Sequence, residues 1–235
     1  IHITGSGTSI DPYLLYDAQD VDSIRYLGLN NKYYVLANDI DLSSISEFAP
    51  IPNDHNAGTF SLEGNGHTLY GLNQTEGVYN NFQQAYSVGM FAGKTQGTFK
   101  INNLVIANFR INKTTVTNIS TIHFAGGLLV AFLQNTEIQL TNITVLNSSF
   151  RFVNNPTTFP SQSYIGLIVG RSGSTSVVGK QSYIRNCLVE YDTIYYSSTF
   201  VPNSGHYIGG IAGTSPDGSG TIPFEYNASR YNYFY

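Results

Sequence analysis

The sequence predicts an all-β protein, a right-handed parallel β-helix (a β-solenoid) with a short N-terminal capping helix. Two observations point there. Four glycine-centred segments recur in the same order with the same followers, which is the mark of a stacked repeat. Charged residues are only 11% of the 235, against about 25% in an ordinary soluble domain, and Ser, Thr, Asn and 23 Gly carry the polar load instead.

The repeat is read from aligned glycines. Val88-Gly89-Met90-Phe91-Ala92-Gly93 matches Gly126-Gly127-Leu128-Leu129-Val130-Ala131, Ile165-Gly166-Leu167-Ile168-Val169-Gly170 and Ile208-Gly209-Gly210-Ile211-Ala212-Gly213. Gly89, Gly127, Gly166 and Gly209 are spaced 38, 39 and 43 residues apart. A second element follows: Ile101 to Ile106, Leu140 to Val145 and Ile184 to Val189. A third closes each unit: Asn108-Phe109-Arg110-Ile111, Ser149-Phe150-Arg151-Phe152 and Asp192-Thr193-Ile194-Tyr195. Apolar residues alternate in the second and third elements, as in half-buried strands. Three strands per unit imply a triangular coil, and one coil cannot bury its inner face, so neighbours must stack. About five or six coils at roughly 4.8 Å would give a stack of about 25–30 Å. Met90, Leu129, Ile168 and Ile211 are candidates for one stacked ladder; Leu104, Ile143 and Cys187 are candidates for another.

The chain divides by this reading into residues 1–32, an N-terminal strand and cap, 33–213, the coils, and 214–235, an aromatic tail. Ile1 to Thr4 alternates like a strand. Residues 18–28 read as a helix, with Asp17 as N-cap, Val21, Ile24 and Leu27 on one face, and Gly28 as its stop. Such a helix would cover the first coil, as terminal caps do in solenoids. Tyr33 to Leu42 alternates. Phe60 to Leu69 reads as strand, Gly-Asn-Gly turn, strand.

Gly5-Ser6-Gly7-Thr8 running into Asp11-Pro12-Tyr13-Leu14, then Asn38-Asp39-Ile40-Asp41-Leu42, resembles the start of many surface proteins with GLUG-type repeats. Leu62-Glu63-Gly64-Asn65-Gly66-His67-Thr68-Leu69 with Gly71-Leu72 is similar to a segment of that family, with Glu63 where the family has Asp. The resemblance implies a right-handed parallel β-helix in adhesin-like, secreted or cell-surface proteins, and implies no catalytic activity. The repeats here are longer than the family's, and the extra length falls in the loops Asn73 to Tyr86, Asn112 to His123, Asn154 to Ser163 and Tyr196 to His206. Stacking would set these loops above one another, where repeat proteins often bind.

The net charge of −4 and the lack of any basic run argue against nucleic acid. The longest apolar run, Phe124 to Leu133, is half of a membrane span. No disulfide framework is available to a single cysteine, and Cys187 reads as a buried thiol. Catalytic, cofactor and metal residues are expected to be absent. Asp39 and Asp41 form the closest acid pair on one face, but they fit a corner better than a paired-acid site. His67 fits the family's turn. His55, His123 and His206 lie in or beside different loops, and no ligand spacing suits zinc. Candidate N-glycosylation sequons stand at Asn73, Asn112, Asn118, Asn142, Asn147 and Asn227.

The expected function is a non-enzymatic, extracellular or cell-surface structural protein, a subunit of a fibre or adhesive appendage. The partner expected first is another copy, head to tail, and surface glycans second. Assembly candidates are Ile1, Ile3, Phe224, Tyr226, Tyr231, Tyr233 and Tyr235, where unpaired strand edges would meet. The alternative is a carbohydrate-binding or polysaccharide-cleaving β-helix module.

Overall fold

The computed structural model describes residues 2–80, 85–113, 123–153, 162–172, 182–197, 205–213 and 224–235. Strand β1 (Tyr13–Leu15) leads into helix α1 (Ala18–Leu27). A partial turn follows with β2 (Lys32–Leu36) and β3 (Ile40–Asp41). The first turn with strands on every face holds β4 (Thr59–Glu63), β5 (Thr68–Tyr70), β6 (Asn73–Gln74), β7 (Val78–Asn80), β8 (Ala85–Val88) and β9 (Phe91–Thr95). The second holds β10 (Thr98–Ala107), β11 (Arg110–Lys113), β12 (His123–Gly127) and β13 (Val130–Gln134). The third holds β14 (Glu137–Leu146), β15 (Ser149–Val153), β16 (Gln162–Gly166) and β17 (Val169–Ser172). Beyond it lie β18 (Tyr183–Arg185), β19 (Leu188–Glu190), β20 (Thr193–Ser197) and β21 (Gly205–Gly209), then β22 (Phe224–Glu225), β23 (Ala228–Arg230) and β24 (Tyr233–Phe234).

These strands stack into a β-solenoid with about three turns complete on every face. The first sheet runs β1-β2-β4-β10-β14-β18-β22, with β3, β5, β19 and β23 on its second half. The other sheets run β6-β11-β15-β20-β24, β7-β8-β12-β16-β21 and β9-β13-β17. Among the described residues, pairing between named strands is parallel except between β7 and β8.

The glycine alignment holds residue by residue. Gly127 pairs with Gly166, Gly166 with Gly209, and the pairing of Gly126 with Val88 brings Gly89 level. A Cβ on Gly127 would lie 2.3 Å from the Val130 oxygen and 2.8 Å from the Gly170 nitrogen. Close backbone approach therefore excludes any side chain there.

The triangular coil needs correcting. Each of the first three glycine segments is two strands, not one, because the chain turns between β8 and β9 at Gly89-Met90, between β12 and β13 at Leu128-Leu129 and between β16 and β17 at Leu167-Ile168. The strands of a turn thus fall in four sheets, the first of them bent at the Asn103 column. The third element also pairs two residues away from its apparent alignment: Ile111, not Phe109, lies beside Phe150. Strand side chains repeat every two residues, so a shift of two leaves the inside-outside pattern unchanged and invisible in sequence.

The core is a set of vertical ladders. Leu62, Ile101, Leu140 and Ile184 stack in register, all fully buried. Leu104, Ile143 and Cys187 form the expected second ladder, and Met90, Leu129 and Ile168 are buried with Ile211 packed against them. Each such Leu or Ile contributes about 1.5–3 kcal/mol by leaving water.

Helix α1 is where the sequence placed it. The Asp20 N–H donates to Asp17 Oδ1 at 2.9 Å, and Gly28, at φ 87°, donates its N–H to Ile24 O. Val21 and Ile24 are fully buried against the core. The residues before β1 close the same end: Ile3 packs on the core and Thr4 bridges Leu14 in antiparallel fashion. At the other end, residues 224–235 are not a tail beyond the coils. Their three short strands pair with β18, β19 and β20 and form the start of another turn.

Candidate functional site

The polar side chains with chemical potential are concentrated at the corners, where the backbone must turn and its N–H groups need acceptors. Asp39 Oδ1 accepts from the Thr68 N–H at 2.9 Å and from His67 Nδ1 at 3.2 Å. Asp41 Oδ1 accepts from the Ser43 N–H at 2.9 Å. The Thr68 N–H holds the Asp39 carboxyl below the usual range, and the bonds from Ser43 do the same for Asp41. Both acids are thus anionic acceptors: Asp39 joins two turns, and Asp41 closes a local turn at Ser43.

Two further corners are built from asparagine. Asn103, Asn142 and Asn186 stand in one column, each with φ of 53–54°, and Tyr226 continues it at 55°. Asn108 and Asn147 stand in the other, at 54° and 49°, followed by Tyr191 and Tyr231. Asn tolerates this left-handed backbone better than other side chains. Its amides add bonds between turns: Asn142 Nδ2 donates to Asn103 Oδ1, and Asn147 Nδ2 to Asn108 Oδ1, both at 2.8 Å. Where tyrosine takes over, rings replace amides; Tyr191 and Tyr231 stack at 5.2 Å.

This geometry sorts the sequons. Asn73 and Asn112 are exposed, but on β6 and β11 rather than in loops. Asn142 and Asn147 are in the ladders. Asn227 is half-buried, accepts from the Cys187 N–H and donates to Ile184 O. Asn118 lies outside the described residues.

Sequence reasoning missed a buried ion pair. Lys94 is fully buried; its ammonium meets Asp54 Oδ2 and donates to Asn56 O at 2.9 Å. Lys94 stands in the column of Leu133 and Ser172, and no sequence signal named its burial or its partner. Beside the pair, burial lowers the His55 pKa. His2, Asp17 and Asp20 also come together, with ligand atoms within 4.8 Å. Asp20 is buried, and its two oxygens accept the N–H groups of His2 and Tyr16, so this group ties the first residues to helix α1. His123 and His206 fall one position apart in register, since His123 pairs with Gln162 and His206 with Ser163.

Cys187 is buried, and burial pushes its thiol up to about 11. Of the assembly candidates, Tyr226, Tyr231, Tyr233 and Tyr235 are exposed, and Tyr233 stacks on Tyr235 at 6.4 Å. Ile1 and the Phe224 side chain lie outside the described residues. On the outer face of the second sheet, Arg151 lies 4.9 Å over the Tyr195 ring.

No protein-family model matches the chain, and no curated protein matches it. A solved structure does: the crystal structure of a "putative immunoglobulin A1 protease" from Bacteroides ovatus, at 16% identity and a TM-score of 0.50. The match covers 98% of this chain and 69% of that one. At this identity the likeness concerns the fold.

Proposed function

We propose that the chain is a non-enzymatic structural module of an extracellular or cell-surface fibre or adhesive appendage, of the kind the GLUG-like segments suggest. One observation supports this reading above the rest: several acids and amides at the described corners serve as bonds between turns. Asp39 holds the Thr68 N–H, Asp54 holds the buried Lys94 ammonium, and the Asn142 and Asn147 amides reach Asn103 and Asn108. A stack built that way transmits load along its axis and offers its faces for contact.

Self-contact is the first partner to test. The exposed aromatics of the last strands suit it, since tyrosine gives contact area at little rotamer cost. The opposite end suits it less well than the sequence suggested, because Ile3 and Thr4 already serve the chain's own fold. Light scattering over a concentration series tests the proposal. Particle mass that rises with concentration, and falls back in a Tyr231→Lys, Tyr235→Lys variant, supports self-assembly. A monomer at every concentration removes it.

Surface glycans are the second reading, favoured by Arg151, Tyr195 and Tyr235 on one outward column of the second sheet. Flat rings beside a guanidinium suit the apolar face of a sugar and its hydroxyl or carboxylate groups. A glycan array, read with Tyr195→Ala as control, tests it. Binding that survives Tyr195→Ala rejects this face.

A further inference from the structure

Two corner columns carry a second set of bonds that run between turns. In one, the Phe109 N–H donates to Ser148 Oγ at 3.1 Å, the Ser148 N–H to Asp192 Oδ1 at 2.6 Å, and the Asp192 N–H to Asn232 Oδ1 at 2.8 Å. In the other, the Ile143 N–H is bonded to Cys187, and the Cys187 N–H donates to Asn227 Oδ1 at 2.8 Å. Each turn's corner N–H is therefore capped by a side chain of the next turn.

The capping side chains share one property. Besides accepting that N–H, each donates to a backbone carbonyl. Ser148 Oγ donates to Leu146 O at 3.0 Å, Cys187 Sγ to Arg185 O at 3.4 Å, Asn227 Nδ2 to Ile184 O at 2.8 Å, and Asn232 Nδ2 to Val189 O at 3.0 Å. Asp192 is the exception, because a carboxylate has nothing to donate. It is fully buried, and its second oxygen, Oδ2, has no partner.

We infer that Asp192 is a neutral carboxylic acid in the folded protein at mildly acidic pH, standing in for asparagine in the corner column, and that its ionisation loosens this corner as pH rises. A proton on Oδ2 gives the residue the donor that every other member of the two columns has. A buried carboxylate with one oxygen unbonded is costly, and the neutral acid costs less.

The surroundings agree. Burial is the largest influence on the Asp192 carboxyl and raises it to about 6, against the lowering effect of the Ser148 and Glu190 backbone bonds. The charged groups facing it are Arg110 on β11, which favours the anion, and Glu190 on β19, which opposes it. Arg110 is engaged with the Phe109 and Asn147 carbonyls, and Glu190 lies 3.7 Å from Arg230 of β23.

The sign follows from linkage. The folded value lies above the ordinary aspartate value of 3.8, so the stabilisation is fully present below 3.8 and lost as pH rises to about 6. Over that window the unfolding constant should rise about a hundredfold from this group alone. Denaturant titration from pH 3.5 to 7.5 tests the inference on the full chain. Asp192→Asn supplies the donor permanently. It should match the native protein below pH 4 and be more stable at pH 7, and its own profile should lack the loss. The carboxyl carbon shift of Asp192, followed by NMR, gives a reading independent of stability. A titration centred near 6 supports the inference. A titration in the ordinary aspartate range, or a stability difference between the two proteins that does not change with pH, overturns it.

Discussion

Lys94 and Asp54 show how a single position decides its neighbourhood. Their pair is buried on the lysine side and nearly so on the other, and removing one partner leaves a charge without a counter-ion. Lys94→Met should cost about 3–5 kcal/mol, measured as the shift in denaturant midpoint. Replacing both with leucine should recover most of that loss, since Leu133 already occupies the same column one turn on. The sequons make a second residue-scale test. Expressed in a eukaryotic secretory host, the chain should carry glycans at Asn73 and Asn112, whose amides face solvent. Asn142, Asn147 and Asn227 should stay bare, because their amides are bonded between turns. Peptide mass spectrometry decides between these positions. At this scale the sequence was legible for burial, as with Cys187, but not for partners. Alternation says which way a side chain faces, and pairing across 40 residues of chain leaves no local trace.

Among the elements, the helix was the most legible. Its cap, its apolar face and its stop all lie within twelve residues, so local rules suffice. Asp17→Ala should cost about 1 kcal/mol, read by thermal melting. The strands of the first sheet were nearly as legible, because their ladders repeat Leu or Ile at the same place. Ile143→Asp places a charge between Leu104 and Cys187, and should cost several kcal/mol with soluble protein falling accordingly. Less legible were the faces on either side. The turn between Gly89 and Met90 is hidden because the residues on both sides of it are apolar and buried. A continuous apolar run reads the same whether it is one strand or two joined at a bend. The offset of the third element was hidden for the related reason that a two-residue slip keeps every side chain on its face.

For the molecule as a whole, the order of turns was readable and the treatment of its ends was not. Repetition supplies the order: the glycine columns and the Asn columns each recur with nearly constant spacing. The ends depend on single contacts, such as Ile3 on the core and Thr4 on Leu14. Cys187 gives a way to follow the whole stack. It is buried, and its thiol, raised to about 11, is nearly all protonated at neutral pH. Labelling by a thiol reagent at pH 8 should therefore be slow in the native protein. Its rate should rise with denaturant along the same slope as the spectroscopic unfolding curve. A rate independent of denaturant would mean that β18 and β19 separate from β14 without global unfolding.

The capping bonds of the Ser148 and Cys187 columns all point one way, from a backbone N–H to a side chain roughly 40 residues further along the chain. The solenoid is therefore a sentence in which each word is punctuated by the one after it. A nick or deletion would then be felt upstream of where it falls. Removing residues 224–235 should leave most contacts of β18 to β20 with β14 and β15 in place, yet expose the amides of Cys187 and Asp192 to exchange. Hydrogen–deuterium exchange would show protection lost at those two amides while Ser148 keeps its own. The same directionality means that damage at the first turns spares the punctuation of the later ones, so the two halves of the molecule should age differently under proteolysis.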